Sequence, residues 1–381
     1  MNITTPQSTD KQSRRRRRGR IARRTGVIAA AVIAAAVITV AIIPSPINAI
    51  AWSPAAAPTP GDDRSLSDPE TVTEAVVHAE FLAFDADGAL YAGDETGSIF
   101  KTTFDADDEP VSTTVFATTD GRPNGLAFAP DGTLYVADIE KGLLSVDTEG
   151  QVTTLVDRDS SAKVLQANEV VVTRQGQVYF TDTTTYPSVS LIEVLEHRPH
   201  GRLLHYDPTT GSTEVVMTDL YFANGVTLTS SEDSVLVVET YSYDILRYWL
   251  SGPRAGEQEV FAQNLGGFAD NITTNADGTF FVGMFTERVP LVDALHGTPW
   301  LKNTMAKIPE DVLNGMSAPT GTGVVVQLGP DGQVLRTLAD PDGDTFGITT
   351  AVQRDGWLYL GTAPGGSGGI HRVMLGTASA E

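Results

Sequence analysis

The chain has 381 residues, with 48 Asp and Glu against 26 Lys and Arg for a net charge of −22, and it contains no cysteine. Thiol catalysis, disulfides and thiolate metal sites are therefore excluded. Residues 1–25 alone carry +8, from nine basic residues and Asp10, which leaves −30 on the remainder. So acidic a body disfavours nucleic acid and other polyanions as partners.

The N-terminus differs in kind from the rest. Lys11, Arg14 to Arg18, Arg20, Arg23 and Arg24 form a basic leader over 1–25, followed by an 18-residue apolar run from Gly26 to Ile43 broken only by Thr39. A positive flank beside a run of near-spanning length predicts a single transmembrane helix over 26–45, with the leader cytoplasmic and everything after it extracytoplasmic. The competing expectation is a cleaved signal peptide and a secreted chain, since small residues stand near Asn48-Ala49. Residues 46–70, rich in Ala, Pro, Asp and Ser, are expected to be a flexible tether.

From residue 71 onward the pattern is repetitive. Six stretches start at Glu80, Asn124, Asn168, Asn224, Asp270 and Ile348, each a half-buried strand, a turn such as Asp87-Gly88 or Asp131-Gly132, and a second β-rich strand such as Leu134 to Ala137. The starts lie 44, 44, 56, 46 and 78 residues apart. That is close to the roughly 40–50 residues of a four-stranded propeller blade. The fold class is therefore all-β, a six-bladed β-propeller over 71–381 preceded by the transmembrane segment. The fourth repeat lacks the turn glycine and is one residue longer. After Ile348 there is room for three strands, near 348–353, 356–361 and 369–374, so a strand from Thr71 to Val77 is expected to complete the last blade. The longest interval holds an insertion near 287–319, with Pro290, Pro299, Trp300 and Pro309, expected over one face.

In a propeller, residues that open each inner strand meet at one mouth of the central channel. Here they are Glu80, Asn124, Asn168, Asn224, Asp270 and Ile348. A single Asn or Asp at a strand start ordinarily caps backbone. Glu80, Asn168, Asn224 and Asp270, from four blades, offer instead the oxygen donors that calcium takes, and two carboxylates to balance its charge. Asn271 is a fifth candidate ligand, although strand alternation would turn it away from Asp270. The same alternation would make Glu169 structural. Asp94, Asp138 and Asp182 close second strands and are expected to serve turns. His78, His200, His205 and His296 carry no motif, and no nucleophile elbow or phosphate loop is present.

The segments RPNGLAF, LYVADIEKGLLSVD, VYFTDTTT, HGRLLHYDP, FANGVTL, VVETYSYDILRYWLSGPRAGEQEVF and ADNITT resemble the strictosidine synthase-like proteins, including the adipocyte plasma membrane-associated type, from about Glu80 to Gly361. The wider superfamily of gluconolactonases, regucalcin-like proteins and paraoxonases implies a six-bladed propeller with a metal, usually calcium, in the channel. By motif, that resemblance places the ligands at Glu80, Asn168, Asn224 and Asp270, and a paraoxonase-like one at Asn271. Two departures bear on mechanism. Thr349 stands where strictosidine synthases carry a catalytic glutamate, which argues against a condensing enzyme, and Asn124 stands where paraoxonases place a dyad histidine. The expectation is a membrane-anchored, extracytoplasmic calcium-dependent hydrolase of small-molecule esters or lactones, with Asp270 orienting the attacking water. The alternative is a non-enzymatic binding or scaffold propeller.

Overall fold

The computed structural model describes residues 43–58, 63–186, 191–309, 312 and 321–376. The basic leader and the apolar run up to residue 42 lie outside the described residues. Among the described residues no helix is long and apolar enough to cross a membrane.

The first strand, β1 (Glu70–Thr73), belongs to the last blade. Blade 1 follows as β2 (Leu82–Phe84), β3 (Leu90–Gly93), β4 (Ser98–Phe104) and β5 (Pro110–Thr118). Blade 2 is β6 (Pro123–Phe128), β7 (Leu134–Asp138), β8 (Gly142–Val146) and β9 (Val152–Val156). Blade 3 is β10 (Ala167–Val172), β11 (Val178–Asp182), β12 (Gly201–Asp207) and β13 (Ser212–Leu220). Blade 4 is β14 (Ala223–Leu228), β15 (Ser234–Glu239), β16 (Asp244–Trp249) and β17 (Gln258–Ala262). Blade 5 is β18 (Gly267–Thr274), β19 (Phe280–Glu287), β20 (Gly323–Leu328) and β21 (Val334–Asp340). Blade 6 is β22 (Ile348–Arg354), β23 (Trp357–Thr362) and β24 (Ile370–Met374), and β1 pairs with β24 to complete it.

Burial follows strand position. The second strand of blade 4, Ser234 to Glu239, is buried at every residue because a neighbouring blade covers each face. The outermost strand of blade 1 has only Ala117 buried and leaves Val111 and Val115 exposed. Apolar clusters fill the interfaces between blades. One joins Tyr135, Ala137 and Leu143 of blade 2 to Val170, Phe180 and Leu204 of blade 3. Another joins Phe281 and Val325 of blade 5 to Ile348, Leu358 and Leu360 of blade 6. In the turn of the fourth repeat, Glu232 (φ 54°) takes the left-handed place that Gly132 (φ 89°) and Gly278 (φ 84°) occupy elsewhere.

The closing strand is shorter than expected and begins one residue earlier. Glu70 pairs with Arg372, Thr71 with His371 and Thr73 with Ile370, with an irregularity after Thr71, and the chain leaves the sheet at Glu74. Arg372 secures this join. Its buried guanidinium donates to Glu70 Oε2 (3.1 and 3.0 Å), to Glu109 Oε1 (3.2 Å) and to the Asp108 carbonyl, and lies 4.1 Å from the centre of the Trp357 ring. One side chain thus ties blade 6, the closing strand and blade 1 together.

Residues 45–56, read from composition as a tether, are packed onto the end of the propeller where the inner strands begin. Ile47 and Ala49 are buried with Leu195 and Ala306. Ala49 N donates to Asn303 Oδ1 (3.1 Å), Asn48 N to Glu196 Oε1 (2.8 Å) and Lys302 Nζ to the Ile50 carbonyl (2.6 Å). Trp52 stacks on His197 with ring centres 4.0 Å apart.

Arg372→Ala should lower stability by about 2–3 kcal/mol through its lost charged hydrogen bonds and ring contact. Glu70→Gln, at a carboxylate whose side chain is 55% exposed, should cost less than about 1 kcal/mol. Thermal unfolding of the two variants checks this, and equal losses would show that the arginine does not carry the closure.

Candidate functional site

Carboxylates at the ends of second strands fix the loops that lead into the inner strands. Asp138 Oδ1 accepts from Arg122 N (2.9 Å), two residues before Asn124. Asp182 Oδ1 accepts from Gln166 N (2.8 Å), two before Asn168, and Glu239 Oε1 from Tyr221 N (2.7 Å), three before Asn224. The turn role expected of Asp138 and Asp182 is therefore also a positioning role, and Asp94 holds its own turn through Thr96 N and Ser98 N (both 3.0 Å).

Glycines let the inner strands converge. A Cβ on Gly125 would stand 2.5 Å from Glu169 Cα and 2.8 Å from the Asn168 carbonyl oxygen. One on Gly225 would stand 2.6 Å from Asn271 Cα and 2.7 Å from the Asp270 carbonyl oxygen. The Asn-Gly pairs of the second and fourth repeats therefore set the tight approach of blade 2 to blade 3 and of blade 4 to blade 5.

Alternation fails where the candidate residues sit. The pairing register slips between Ala167 and Val170, between Ala223 and Val226, and between Ala269 and Ile272. Such bulges re-aim side chains. Asp270 and Asn271 are both buried, at 8% and 1% exposure. Asn168 and Glu169 are both buried as well.

The result is a ring of side-chain oxygens without donors. Asn271 Nδ2 donates to the Glu80 carbonyl (3.1 Å), Asn224 Nδ2 to Thr240 Oγ1 (3.1 Å) and Asn124 Nδ2 to Glu80 Oε2 (3.4 Å). Each of these three amide nitrogens is committed. The oxygens left over, Oδ1 of Asn124, Asn168, Asn224, Asp270 and Asn271, are buried and unpartnered, as is Oε2 of Glu169. Glu80 is held by an ion pair with Arg122. Burial, and then the Glu80 charge, raise the Asp270 carboxyl far above its ordinary range, against the pull of a hydrogen bond from Asn224 and of Arg122. Burial raises Glu169 likewise, helped by Asp270 and Glu80 and opposed by its bond from Val170 N.

Unpaired buried acceptors are costly, of the order of 1–3 kcal/mol each. Several facing one place fit a hard cation that takes six to eight oxygens. Among the described residues no three His, Asp or Glu side chains gather as a metal set, and most of this ring is amide. Glu80, Asn168, Asn224, Asp270 and Asn271 are the residues that could hold such an ion. Thr349 takes a different part, donating through Oγ1 to the Glu80 carbonyl (2.9 Å). The histidines stay apart from the ring: His205 bonds Gln177 and Glu214, His200 bonds Glu196, and His78 lies 3.6 Å from Glu95.

A cap covers blades 3 to 5 at this end. It consists of α1 (Leu191–Glu196), α2 (Pro290–His296), α3 (Pro299–Met305) and residues 45–56. The helices α2 and α3 lie in the insertion expected from the sequence; residues 310, 311 and 313–319 of it lie outside the described residues. Beneath the cap, Trp52 also meets His296 (4.9 Å) and Tyr243 (5.5 Å), and Tyr241 packs on Phe222 (4.3 Å). Burial pushes His197 down to about 3 and His296 to about 4, so both are neutral in this apolar setting.

Family models agree with this architecture. The strictosidine synthase model matches residues 168–253 and the strictosidine synthase-like N-terminal model matches residues 65–102. The adipocyte plasma membrane-associated protein of Rattus norvegicus is 34% identical over 268 residues, covering 67% of this chain and 69% of its own. The chain belongs to the strictosidine synthase-like family. The human adipocyte plasma membrane-associated protein is 36% identical and covers 67% of this chain, and strictosidine synthase-like protein 13 of Arabidopsis thaliana is 36% identical and covers 58%. The alignments span 62% and 57% of those two proteins' lengths. Among solved structures, a gluconolactonase from Xanthomonas campestris superposes with a TM-score of 0.59 at 17% identity, covering 88% of this chain and 99% of its own. A calcium-binding regucalcin from Agrobacterium tumefaciens superposes at 0.53 and 15% identity, covering 84% and 96%. These structural likenesses show the six-bladed fold.

Gly225→Ala should cost about 1–3 kcal/mol, since the new methyl group meets backbone of the next blade. Gly297→Ala, with nothing within 4 Å of the added carbon, should change stability by less than about 0.5 kcal/mol. Equal melting temperatures for the two would contradict the close approach of blades 4 and 5.

Proposed function

We propose that this chain is a membrane-anchored, extracytoplasmic, calcium-dependent hydrolase of small-molecule esters or lactones. The observation that carries the reading is the ring of buried, unpartnered oxygens from Asn168, Asn224, Asp270 and Asn271, beside the Glu80 carboxylate. Their chemistry fits calcium, and two carboxylates balance its charge. Bound calcium supplies a Lewis acid that polarises a substrate carbonyl and stabilises the charge it develops.

The chain's own residues do the rest. Arg122 and Asn124 hold the Glu80 carboxylate, Thr240 fixes the Asn224 amide so that its oxygen stays free, and the Glu80 carbonyl does the same for Asn271. Asp270 orients the attacking water with whichever carboxylate oxygen is left free. The neutral Thr349, bonded to backbone, offers no acid or base at the place where a condensing enzyme needs one.

The membrane part of the reading rests on the basic leader and the apolar run over 26–43. The name of the mammalian relative is in keeping with it. Residues 47–50 are built into the cap, and removal of the chain up to Ala49 would strip away Ile47 and its hydrogen-bonded neighbours. That supports retention of the segment over cleavage. A second reading, a non-enzymatic binding propeller, draws on the cap itself, whose packed aromatic side chains narrow access over blades 4 and 5.

Calcium at a hundredfold excess over its dissociation constant should stabilise the chain by about 2.7 kcal/mol, and a chelator should reverse this. Asp270→Ala should abolish both the calcium-dependent rise in melting temperature and the hydrolysis of a panel of aryl esters and lactones. A calcium-stabilised wild type that hydrolyses none of them supports the binding reading. An Asp270→Ala variant that keeps the calcium-dependent rise would remove the ring as the metal site.

A further inference from the structure

The hydrolase reading leaves one need unmet. A group must take the proton from the attacking water and hand it to the leaving alkoxide, and the two carboxylates proposed to face the cation are engaged. Glu80 pairs with Arg122, and an Asp270 that ligates a cation is a weak base.

The cap holds a carboxylate that no described structural contact fully explains. Glu193 lies on α1, in the segment that leaves the end of β11 beside the start of Asn168's strand. It is 4% exposed. Thr184 Oγ1 donates to its Oε1, while Oε2 is buried and has no hydrogen-bond partner. Its neighbour on the same helix is occupied by contrast: Glu196 accepts from Asn48 N, from the Tyr186 hydroxyl and from His200 Nε2.

Glu193 is placed near the ring by a residue that senses both. Asn224 Nδ2 donates to Thr240 Oγ1, and the next residue, Tyr241, has a hydroxyl that feels the charge of both Glu193 and Asp270. Glu193 and Asp270 therefore both lie near the Tyr241 hydroxyl. Burying an ionisable group with one oxygen unpaired is costly, and such groups concentrate where proton transfer is needed.

We propose that Glu193 is a further catalytic residue, the general base and acid of the hydrolysis, facing the substrate across the Tyr241 side of the mouth. The assignment rests on the hydrolase reading. As the water oxygen bonds to the acyl carbon, Glu193 Oε2 takes one of its protons. The acyl carbon–oxygen bond then breaks, the same proton passes to the departing alkoxide, and the products are a carboxylic acid and an alcohol. Glu193 returns to its starting charge.

Burial pushes Glu193 up to about 7, with the Thr184 hydrogen bond opposing and the charge of Glu196 adding to the rise. The groups that face it are Thr184 and Tyr186 on the segment before α1, Glu196 on α1 itself and Tyr241 from blade 4. A carboxyl so placed can both accept and return a proton near neutral pH.

The experiment uses the full chain with calcium and phenyl acetate as the first probe, followed by the lactone and ester panel. Glu193→Gln should lower kcat about 100-fold or more. It should leave KM within about twofold, leave the calcium-dependent rise in melting temperature intact, and erase the limb of the kcat–pH profile near 7. Glu193→Asp should recover part of the rate. Infrared difference spectra should show a protonated carboxyl band that titrates near pH 7 in the wild type and is missing in Glu193→Gln. An active wild type whose Glu193→Gln variant keeps its rate and pH limb overturns the assignment alone. A wild type inactive on every substrate overturns the hydrolase reading and the assignment with it.

Discussion

Everything proposed for this molecule depends on how closely six inner strands approach one another at one mouth of the channel. Backbone of one blade lies against backbone of the next at Gly125 and Gly225, where even a methyl group would collide. That approach is sustained by the apolar clusters between blades and by the join of the chain's early strand to its last, with Arg372 bridging β1, β24 and the hairpin of blade 1. Radial closure leaves only short outer edges on the blades and no free inner edge at which to unravel. Within it, acceptors that would be intolerable singly are gathered where a cation can satisfy them together.

The strands were legible in the sequence because each blade repeats the same punctuation. Glycine turns in five of the six repeats, four of them Asp-Gly, gave the number of blades and the need for a closing strand, and even the glycine-free fourth turn obeys the rule, with Glu232 in the left-handed conformation. The ring was legible for a related reason: residues at one repeat position must meet on the channel. What alternation could not convey was the bulge in each of β10, β14 and β18. An inserted residue reverses facing locally, so Asn271 joins Asp270, and Glu169, expected to turn away, is buried beside Asn168. The sequence shows only Asn-Glu and Asp-Asn pairs, and such pairs also occur in ordinary strands.

The cap was the least legible part. Composition between residues 46 and 70 suggests a tether, yet Ile47, Ala49 and Trp52 find partners on α1, α2 and α3 that are distant in sequence. Short helices flanked by loops carry little periodic signal, and Glu193 sits in one of six residues. Its surroundings combine a local partner, Thr184, with Tyr241 of another blade, a neighbour that only the assembled propeller supplies. The cap also joins two otherwise separate matters, since the segment leading from the apolar run is itself packed into the cap. An anchor attached there would hold the candidate site at a fixed remove from the membrane.

The most direct test of the account is a crystal structure of the protein grown with calcium. The account predicts one ion in the channel mouth, with oxygens of Glu80, Asn168, Asn224, Asp270 and Asn271 at roughly 2.3–2.6 Å. A mouth that holds only water under those conditions, with calcium bound elsewhere or not at all, would contradict it.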